Sequence, residues 1–158
     1  MSDETLRARQ MHLLEFELDS LQKDLDKFDN SRFTIKSWAV TVTGALLALS
    51  VNAKNSGIAL IGLVIVPLFA YLELLYMYLQ TKVISRADCI EHLLNSTMWA
   101  DGPLAEDKYR FGTGQAFKGK YEIKGLLATL RGRPHIYVLY LGLLAATLID
   151  VLVLKFLV

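Results

Sequence analysis

Two uncharged apolar runs joined by a short polar tip constrain this chain more than any other feature of its sequence. The runs cover 38–51 and 58–72, and the tip covers 52–57. Each run approaches the roughly 17 to 25 residues with which an α-helix crosses about 30 Å of hydrocarbon, where an unpaired backbone finds no hydrogen-bond partner. Because the tip is too short to cross back, the sequence predicts a transmembrane helical hairpin over 35–79. A helical core in a soluble protein is the alternative.

A third apolar run predicts another spanning helix over 135–158. It contains Asp150, about fourteen residues beyond its polar border. An ionised group at that depth costs roughly 2.5 to 3.5 kcal/mol on insertion scales, so it requires a partner. Two interpretations of Asp150 stay open. Either it faces a pore or another subunit, or it is hydrogen-bonded inside the bundle to Thr41, Thr43 or Ser50.

Charges around the hairpin predict its orientation. The tip has one basic residue, Lys54, whereas six basic residues flank the runs on the other side: Lys23, Lys27, Arg32, Lys36, Lys82 and Arg86. Because Lys and Arg concentrate on the cytoplasmic side of membrane proteins, the tip is expected outside and both flanks inside. The polar start of the chain is unlike a signal peptide, so the N-terminus is expected to stay in the cytoplasm.

The segment 1–30 is expected to form an amphipathic, coiled-coil-like helix. It has no proline or glycine, and it holds eight acidic residues against four basic ones. Apolar residues recur at the three- and four-residue spacing of a coiled-coil seam: Met11, Leu14, Leu18, Leu21, Leu25 and Phe28. Either this helix associates with other copies, or it packs against later segments of its own chain. Whether it breaks at Asn30 or continues into the first span is open.

The segment 80–134 is expected to be cytoplasmic and to begin as a helical stem. Its first part contains no helix breaker, and apolar residues recur at helical spacing: Val83, Ala87, Ile90 and Leu94. This pattern predicts an amphipathic stem that can pair with the N-terminal helix. Proline and glycine at 102–103 end the pattern.

A basic stretch follows the stem. Seven basic residues stand against four acids: Lys108, Arg110, Lys118, Lys120, Lys124, Arg131 and Arg133. The glycines among them resemble an anion cradle but fit neither the dinucleotide pattern nor the P-loop pattern. Three interpretations stay open: contact with anionic lipid headgroups, pairing with the acidic N-terminal helix, and binding of a phosphate-bearing, nucleotide-like ligand.

Glu73 is the most informative charge in the hairpin. It lies among leucines and tyrosines near the cytoplasmic end of the second run. A carboxylate in a spanning helix is a functional hypothesis by default: pore lining, proton relay or ion pair. The alternative is that it reaches the interface or pairs with Lys36. The candidate pore-lining residues are Glu73, Asp150, Thr41 and Thr43.

The sequence favours no catalytic or metal chemistry. Its histidines, His12, His92 and His135, lie in separate segments, and no serine has the context of a nucleophile elbow. The single cysteine, Cys89, excludes an intramolecular disulfide and a cysteine metal cluster, and with His92 it supplies only two ligands. We therefore expect no enzyme, no cofactor, no metal site and no direct DNA binding.

One stretch resembles a known group of proteins. The segment 28–38, FDNSRFTIKSW, followed by a hairpin and a tyrosine-rich exit with a stem, resembles the SLATT-type two-helix membrane effectors of nucleotide-signalled antiphage systems. The resemblance covers 25–94 and implies pore formation or depolarisation of the bacterial inner membrane once infection is sensed. The third span departs from the two-helix layout. No nucleotide-sensor domain is recognisable, so a partner protein is expected to supply the trigger.

The sequence thus predicts an all-α membrane protein with three transmembrane helices, the N-terminus inside and the C-terminus outside, an N-terminal amphipathic helix and a cytoplasmic stem. The resemblance implies a pore-forming inner-membrane effector of antiphage defence. We expect this effector to be oligomeric, because three helices in one protomer scarcely enclose a water channel. Expected partners are membrane lipids, further copies of the chain, and a cytoplasmic sensor protein or nucleotide-like ligand. The alternative is a non-conducting membrane anchor or adaptor that recruits a cytoplasmic partner.

Overall fold

Three long helices make up the part of the chain that the structure describes. This computed structural model describes residues 3–95 and 135–157, in which α1 covers Asp3–Ala53, α2 covers Ser56–Leu94 and α3 covers His135–Leu157. Each helix contains a stretch long and apolar enough to cross a membrane. The prediction of an all-α chain with three helices of membrane-spanning length is confirmed.

The first helix does not break at Asn30. It continues through the predicted border between the N-terminal segment and the first span. Short polar side chains near that border bond back to the helix instead of capping a new one. Thr34 Oγ1 donates to the Asn30 carbonyl (2.9 Å), and Ser37 Oγ donates to the Phe33 carbonyl (3.0 Å). With no proline or glycine before Gly44, nothing in the sequence interrupts the ladder.

A tight turn joins α1 to α2 and is closed by the main chain. Lys54 has a φ of 50°, the left-handed conformation in which many helices end. Its amide donates to the Val51 carbonyl (3.2 Å), and the Asn55 amide donates to the Ser50 carbonyl (3.0 Å), which is the pattern of a Schellman cap. Asn55 Oδ1 then accepts from the Gly57 amide (2.9 Å) and caps the start of α2.

Pro67 lies inside α2 without ending it. Because proline has no amide hydrogen, the carbonyl four residues earlier, at Leu63, loses its donor in the helix ladder. The remaining bonds hold α2 as one element, as in many membrane-spanning helices that contain proline.

The described chain divides into two structural units. The first combines α1 up to Asp29 with α2 from Leu79 onward. Its core consists of buried apolar residues from both helices: Leu14, Leu21, Val83, Ala87 and Ile90. The predicted pairing of the stem with the N-terminal helix is confirmed, and this helix therefore packs against a later segment of its own chain.

The predicted seam of the N-terminal helix is correct for Leu14 and Leu21 and wrong for Met11. Met11 is 39% exposed, whereas its neighbour Gln10 is buried. The three- and four-residue spacing persists, but the buried face is centred on Gln10, Leu14, Glu17 and Leu21. Polar residues were left out of the predicted seam, and two of them occupy its centre.

Glu17 takes a core position because a cation of α2 reaches it. Arg86 Nε lies 3.0 Å from Glu17 Oε1, and Arg86 Nη2 lies 3.2 Å from Oε2, so the guanidinium binds the carboxylate through two parallel hydrogen bonds. A buried carboxylate needs such a partner, since its transfer out of water costs several kcal/mol.

The second unit combines α1 from Asn30 with α2 up to Tyr78 and with α3. Ala39, Val66, Met77 and Tyr140 form its buried apolar cluster. Gly62 lets two helices approach closely, because a Cβ there would lie 2.9 Å from Thr147 Cγ2. The outward surface of this unit carries large apolar side chains, including Trp38, Leu49, Ile61, Val64, Leu68, Val138, Leu141, Leu148 and Phe156.

Candidate functional site

Glu73 is the focus of a cluster of charged and polar groups inside the second unit. Its side chain is fully buried. Oε1 lies 3.0 Å from Lys36 Nζ and 3.6 Å from Arg32 Nη2, and the Tyr140 hydroxyl donates to Oε2 over 2.9 Å. We call these four residues the charged centre. All three helices contribute to it: two cations from α1, the carboxylate from α2 and the phenol from α3.

The charged centre compensates Glu73 differently at its two oxygens. The Lys36–Oε1 contact is an ion pair without the geometry of a hydrogen bond, whereas Oε2 accepts a hydrogen bond from Tyr140. Arg32 and Lys36 are four residues apart and therefore lie on one face of α1. The Lys36 side chain is 32% exposed, so the charged centre reaches the surface of the unit at this point.

Asp150 and Ser50 form a second polar contact, between α3 and α1. Ser50 Oγ is hydrogen-bonded to Asp150 Oδ2 and also lies 2.8 Å from the Leu47 carbonyl oxygen. A hydroxyl has one proton to donate. If Asp150 carries a proton, it donates to Ser50 and Ser50 donates to Leu47. If Asp150 is ionised, Ser50 can donate to only one of its two acceptors, Asp150 Oδ2 or the Leu47 carbonyl oxygen.

Thr43 is a buried hydroxyl of a different kind. Thr147 Oγ1 bonds back to the Leu144 carbonyl (2.8 Å), as helical threonines commonly do. Thr43 is fully buried as well, yet its Oγ1 has no hydrogen-bond partner among the described residues. A buried polar atom in this state points to an ordered water or ion. We call Thr43, Ser50, Thr147 and Asp150 the polar run.

Two residues of the apolar cluster, Ala39 and Val66, lie between the charged centre and the polar run. On α1 the order is Lys36, Ala39, Thr43, and on α2 Val66 lies between Glu73 and Gly62, whose Cβ position contacts Thr147. Thr43 is seven residues from Lys36 and seven from Ser50, which at the helical rise is about 10 Å in each direction. The interior of the unit therefore has polar groups towards both ends and an apolar layer between them.

The sequence-predicted candidates fall into three groups. Glu73, Asp150 and Thr43 lie inside the second unit, and for Glu73 and Asp150 the structure contains the contacts of the intramolecular alternatives, with Lys36 and with Ser50. Thr41 is exposed. The basic candidates lie outside the described residues: Lys108, Arg110, Lys118, Lys120, Lys124, Arg131 and Arg133. The pore-lining role of the first four stays a prediction.

Three residues of these sites were not predicted as functional. Arg32 was considered only as one of the basic residues that flank the hairpin, and Tyr140 was not singled out, yet both contact Glu73. Thr147 lies three residues before Asp150 and one helical turn from it. That three-residue spacing on an otherwise apolar helix is the signal that could have found it.

Comparison with known proteins gives no assignment. Compared with protein-family models, curated proteins and solved structures, the chain has no significant match. Over residues 3–95 and 135–157 there is also no grouping of three or more His, Cys, Asp or Glu residues that could hold a metal ion. The chemistry available at these sites is that of carboxyl, hydroxyl, ammonium and guanidinium groups.

Proposed function

We propose that this protein is an oligomeric effector that depolarises the bacterial inner membrane in antiphage defence. The observation that carries the proposal is the buried charged centre, Glu73 with Arg32, Lys36 and Tyr140, inside helices of membrane-spanning length. Ionisable residues are costly in such helices and commonly mark ion or proton pathways. The resemblance of 25–94 to SLATT-type effectors points to the same function.

The trigger belongs to the proposal as well. A cytoplasmic sensor protein, or a nucleotide-like ligand at the basic residues of 108–133, would release the activity. The second unit supplies the conducting part, and the first unit, with ten acidic and six basic residues over 3–29 and 79–95, is too charged to enter hydrocarbon.

The first test is the membrane potential of cells, followed with a voltage-sensitive dye. We expect depolarisation on induction of the protein alone or during phage infection, and its loss with Asp150→Ala. Leu152→Ala on the same helix, at an exposed apolar position, is the matched control and should keep the activity. A steady potential in both conditions, with the wild-type protein present in the membrane, would contradict the proposal.

The orientation is tested with the single cysteine. Cys89 is exposed, so the unmodified protein already carries one accessible thiol in the stem. With the stem in the cytoplasm, a membrane-impermeant maleimide should label Cys89 only after permeabilisation. A Cys89→Ser/Lys54→Cys variant should be labelled in intact cells. The reverse pattern would invert the orientation.

A non-conducting adaptor is the second candidate, and the exposed acids of the first unit favour it. Glu15, Asp19 and Asp26 lie exposed on α1. If the chain recruits a basic partner through this surface, reversing these three charges should abolish defence while Asp150→Ala leaves it intact. The effector proposal predicts that Asp150→Ala abolishes defence.

A further inference from the structure

We infer that protons cross the second unit through the interior of a single protomer, along the polar run and the charged centre. The inference rests on the proposed function and specifies both the ion and the route. The sequence alone suggested a water-filled pore between subunits, but three of the four residues proposed to line it do not lie on the outer surface. Glu73 and Thr43 are fully buried and Asp150 is partly buried, whereas Thr41 is exposed.

Proton transfer requires no open channel, because hydroxyl and carboxyl groups can both accept and donate. A proton taken up by the Asp150 carboxylate is passed to Ser50 Oγ, and the Ser50 hydroxyl turns from the Leu47 carbonyl to give its own proton to a water molecule that enters between Ser50 and Thr43. Thr147 and a water bound at Thr43 continue the transfer in the same way. The Glu73 carboxylate accepts the proton at the other end and releases it. One proton enters and one leaves, and the hydroxyl groups and the waters then rotate back before the next transfer.

The buried, unpaired hydroxyl of Thr43 is the observation that makes this route specific. Its Oγ1 is fully buried and has no partner among the described residues, at the boundary between the polar run and the apolar cluster. Such a group offers a binding place for one water molecule. Charged side chains accompany both ends of the route: Lys36 and Arg32 contact Glu73, while Lys54 follows the end of the helix that carries Ser50 and Lys155 lies on the helix that carries Asp150.

The apolar cluster is then the barrier. Ala39, Val66 and the Tyr140 ring offer water no hydrogen bonds over a gap of about 10 Å between Lys36 and Thr43. Water must enter this gap for a proton to pass, so polarity at Val66 should control the rate. This predicts a gain of function that a surface position cannot reproduce.

The test measures proton flux with the full chain in proteoliposomes, using a lumenal pH-sensitive dye and a potassium diffusion potential set by valinomycin. Val66→Thr should raise the flux about tenfold, because one added hydrogen bond to water lowers the barrier by an amount of that order. Val64→Thr, at a position 72% exposed, should leave it unchanged. Thr43→Val should lower the flux about tenfold, and its exposed counterpart Thr41→Val should not. Thr43→Ser, which keeps the hydroxyl, should retain the flux.

The outcomes separate this inference from the proposed function. If the wild-type chain passes protons but Thr41→Val, and not Thr43→Val, changes the flux, the protomer route is wrong and an oligomeric pore stands. If liposomes without valinomycin lose a potassium gradient through the wild-type chain but no protons pass, the inference also fails while the proposed function stands. If the reconstituted wild-type chain passes no ion and cells expressing it keep their potential during infection, both fail. Variants are compared after elution as single peaks in detergent, so misfolding is scored separately.

Discussion

The two units of this protein bury a carboxylate in opposite settings. In the first unit Glu17 is fully buried and paired with Arg86, and the outer surface is charged. In the second unit Glu73 is paired with two cations and a phenol, and the outer surface carries large apolar side chains. Both units bury a carboxylate in their interior, whereas the exterior is charged in the first unit and apolar in the second.

This comparison separates two reasons for burying a charge. In the first unit one guanidinium satisfies both oxygens of Glu17, so the pair is complete and fixes how α1 and α2 align. In the second unit the compensation comes from three helices, with one oxygen held by cations and the other by a hydroxyl. An arrangement with several partners can exchange them, and a complete bidentate pair cannot. The bidentate pair of the first unit is therefore suited to alignment, and the several-partner arrangement of the second unit is suited to function.

The largest effect is expected from breaking the complete pair. Arg86→Met leaves the buried Glu17 carboxylate uncompensated and should lower the free energy of unfolding by about 3 to 5 kcal/mol. Urea titration in mild detergent would measure it. Glu17→Leu/Arg86→Met should recover most of the loss, since an apolar pair of similar volume often equals a buried ion pair. If the double variant is as unstable as the single one, Glu17 does not owe its place to Arg86.

A smaller loss is expected in the second unit from Tyr140→Phe. The change removes one hydrogen bond to a charged acceptor and leaves Lys36 and Arg32 on the other oxygen, so about 1.5 to 3 kcal/mol should be lost. The same detergent titration measures it, with Tyr71→Phe at an exposed position of α2 as the control. Equal losses of stability in the two variants would mean that the Tyr140 hydroxyl does not stabilise the charged centre.

Gly62→Ala tests how tightly the polar run is packed. The new Cβ would lie 2.9 Å from Thr147 Cγ2, so the Thr147 side chain or the helices must shift, at a cost of about 1 to 3 kcal/mol. Gly44→Ala meets no atom within 4 Å and should be neutral or stabilising by up to about 1 kcal/mol through helix propensity. Thr147→Ser removes Cγ2 and should relieve the Gly62→Ala defect. Thermal unfolding is measured for Gly62→Ala, Gly44→Ala, Thr147→Ser and the double variant Gly62→Ala/Thr147→Ser. A harmless Gly62→Ala would contradict the close approach of the helices.

The smallest effect is expected at the turn. Lys54→Gly relieves a left-handed backbone, and after the extra entropy of an unfolded glycine about 0.5 to 1 kcal/mol should be gained. Lys54→Ala keeps the strain and should gain nothing. Unfolding in detergent measures both, and equal stabilities would mean that Lys54 is unstrained.

The sequence predicted the helices well because hydrophobic periodicity is a local signal. The spans, the short turn and the stem seam at Val83, Ala87 and Ile90 all follow from spacing within one segment. Two long-range contacts were also among the stated alternatives, Glu73 with Lys36 and Asp150 with Ser50. In both cases a costly charge had few partners to choose from.

The misses have a common physical cause. Met11 was assigned to the seam and Glu17 was left out of it, because residue type alone cannot show that Arg86 lies opposite position 17. The contact of Tyr140 was missed because the rotation of α3 about its axis depends on a residue 67 positions away. The neighbouring helices decide which face of an apolar helix is buried. When nearly all residues of a helix are apolar, its sequence does not indicate that face.

The turn between α1 and α2 has a consequence for the order of assembly. Its hydrogen bonds join residues two to five positions apart, so the helical hairpin can close as soon as it is synthesised. The contacts of α3 span 67 and 100 positions, and such distant pairs form late. Until α3 docks, Glu73 lacks the Tyr140 hydroxyl and Ser50 lacks Asp150. Docking of the third helix therefore joins the charged centre and the polar run in one interior, and a chain interrupted before His135 would hold the hairpin without the proposed proton route.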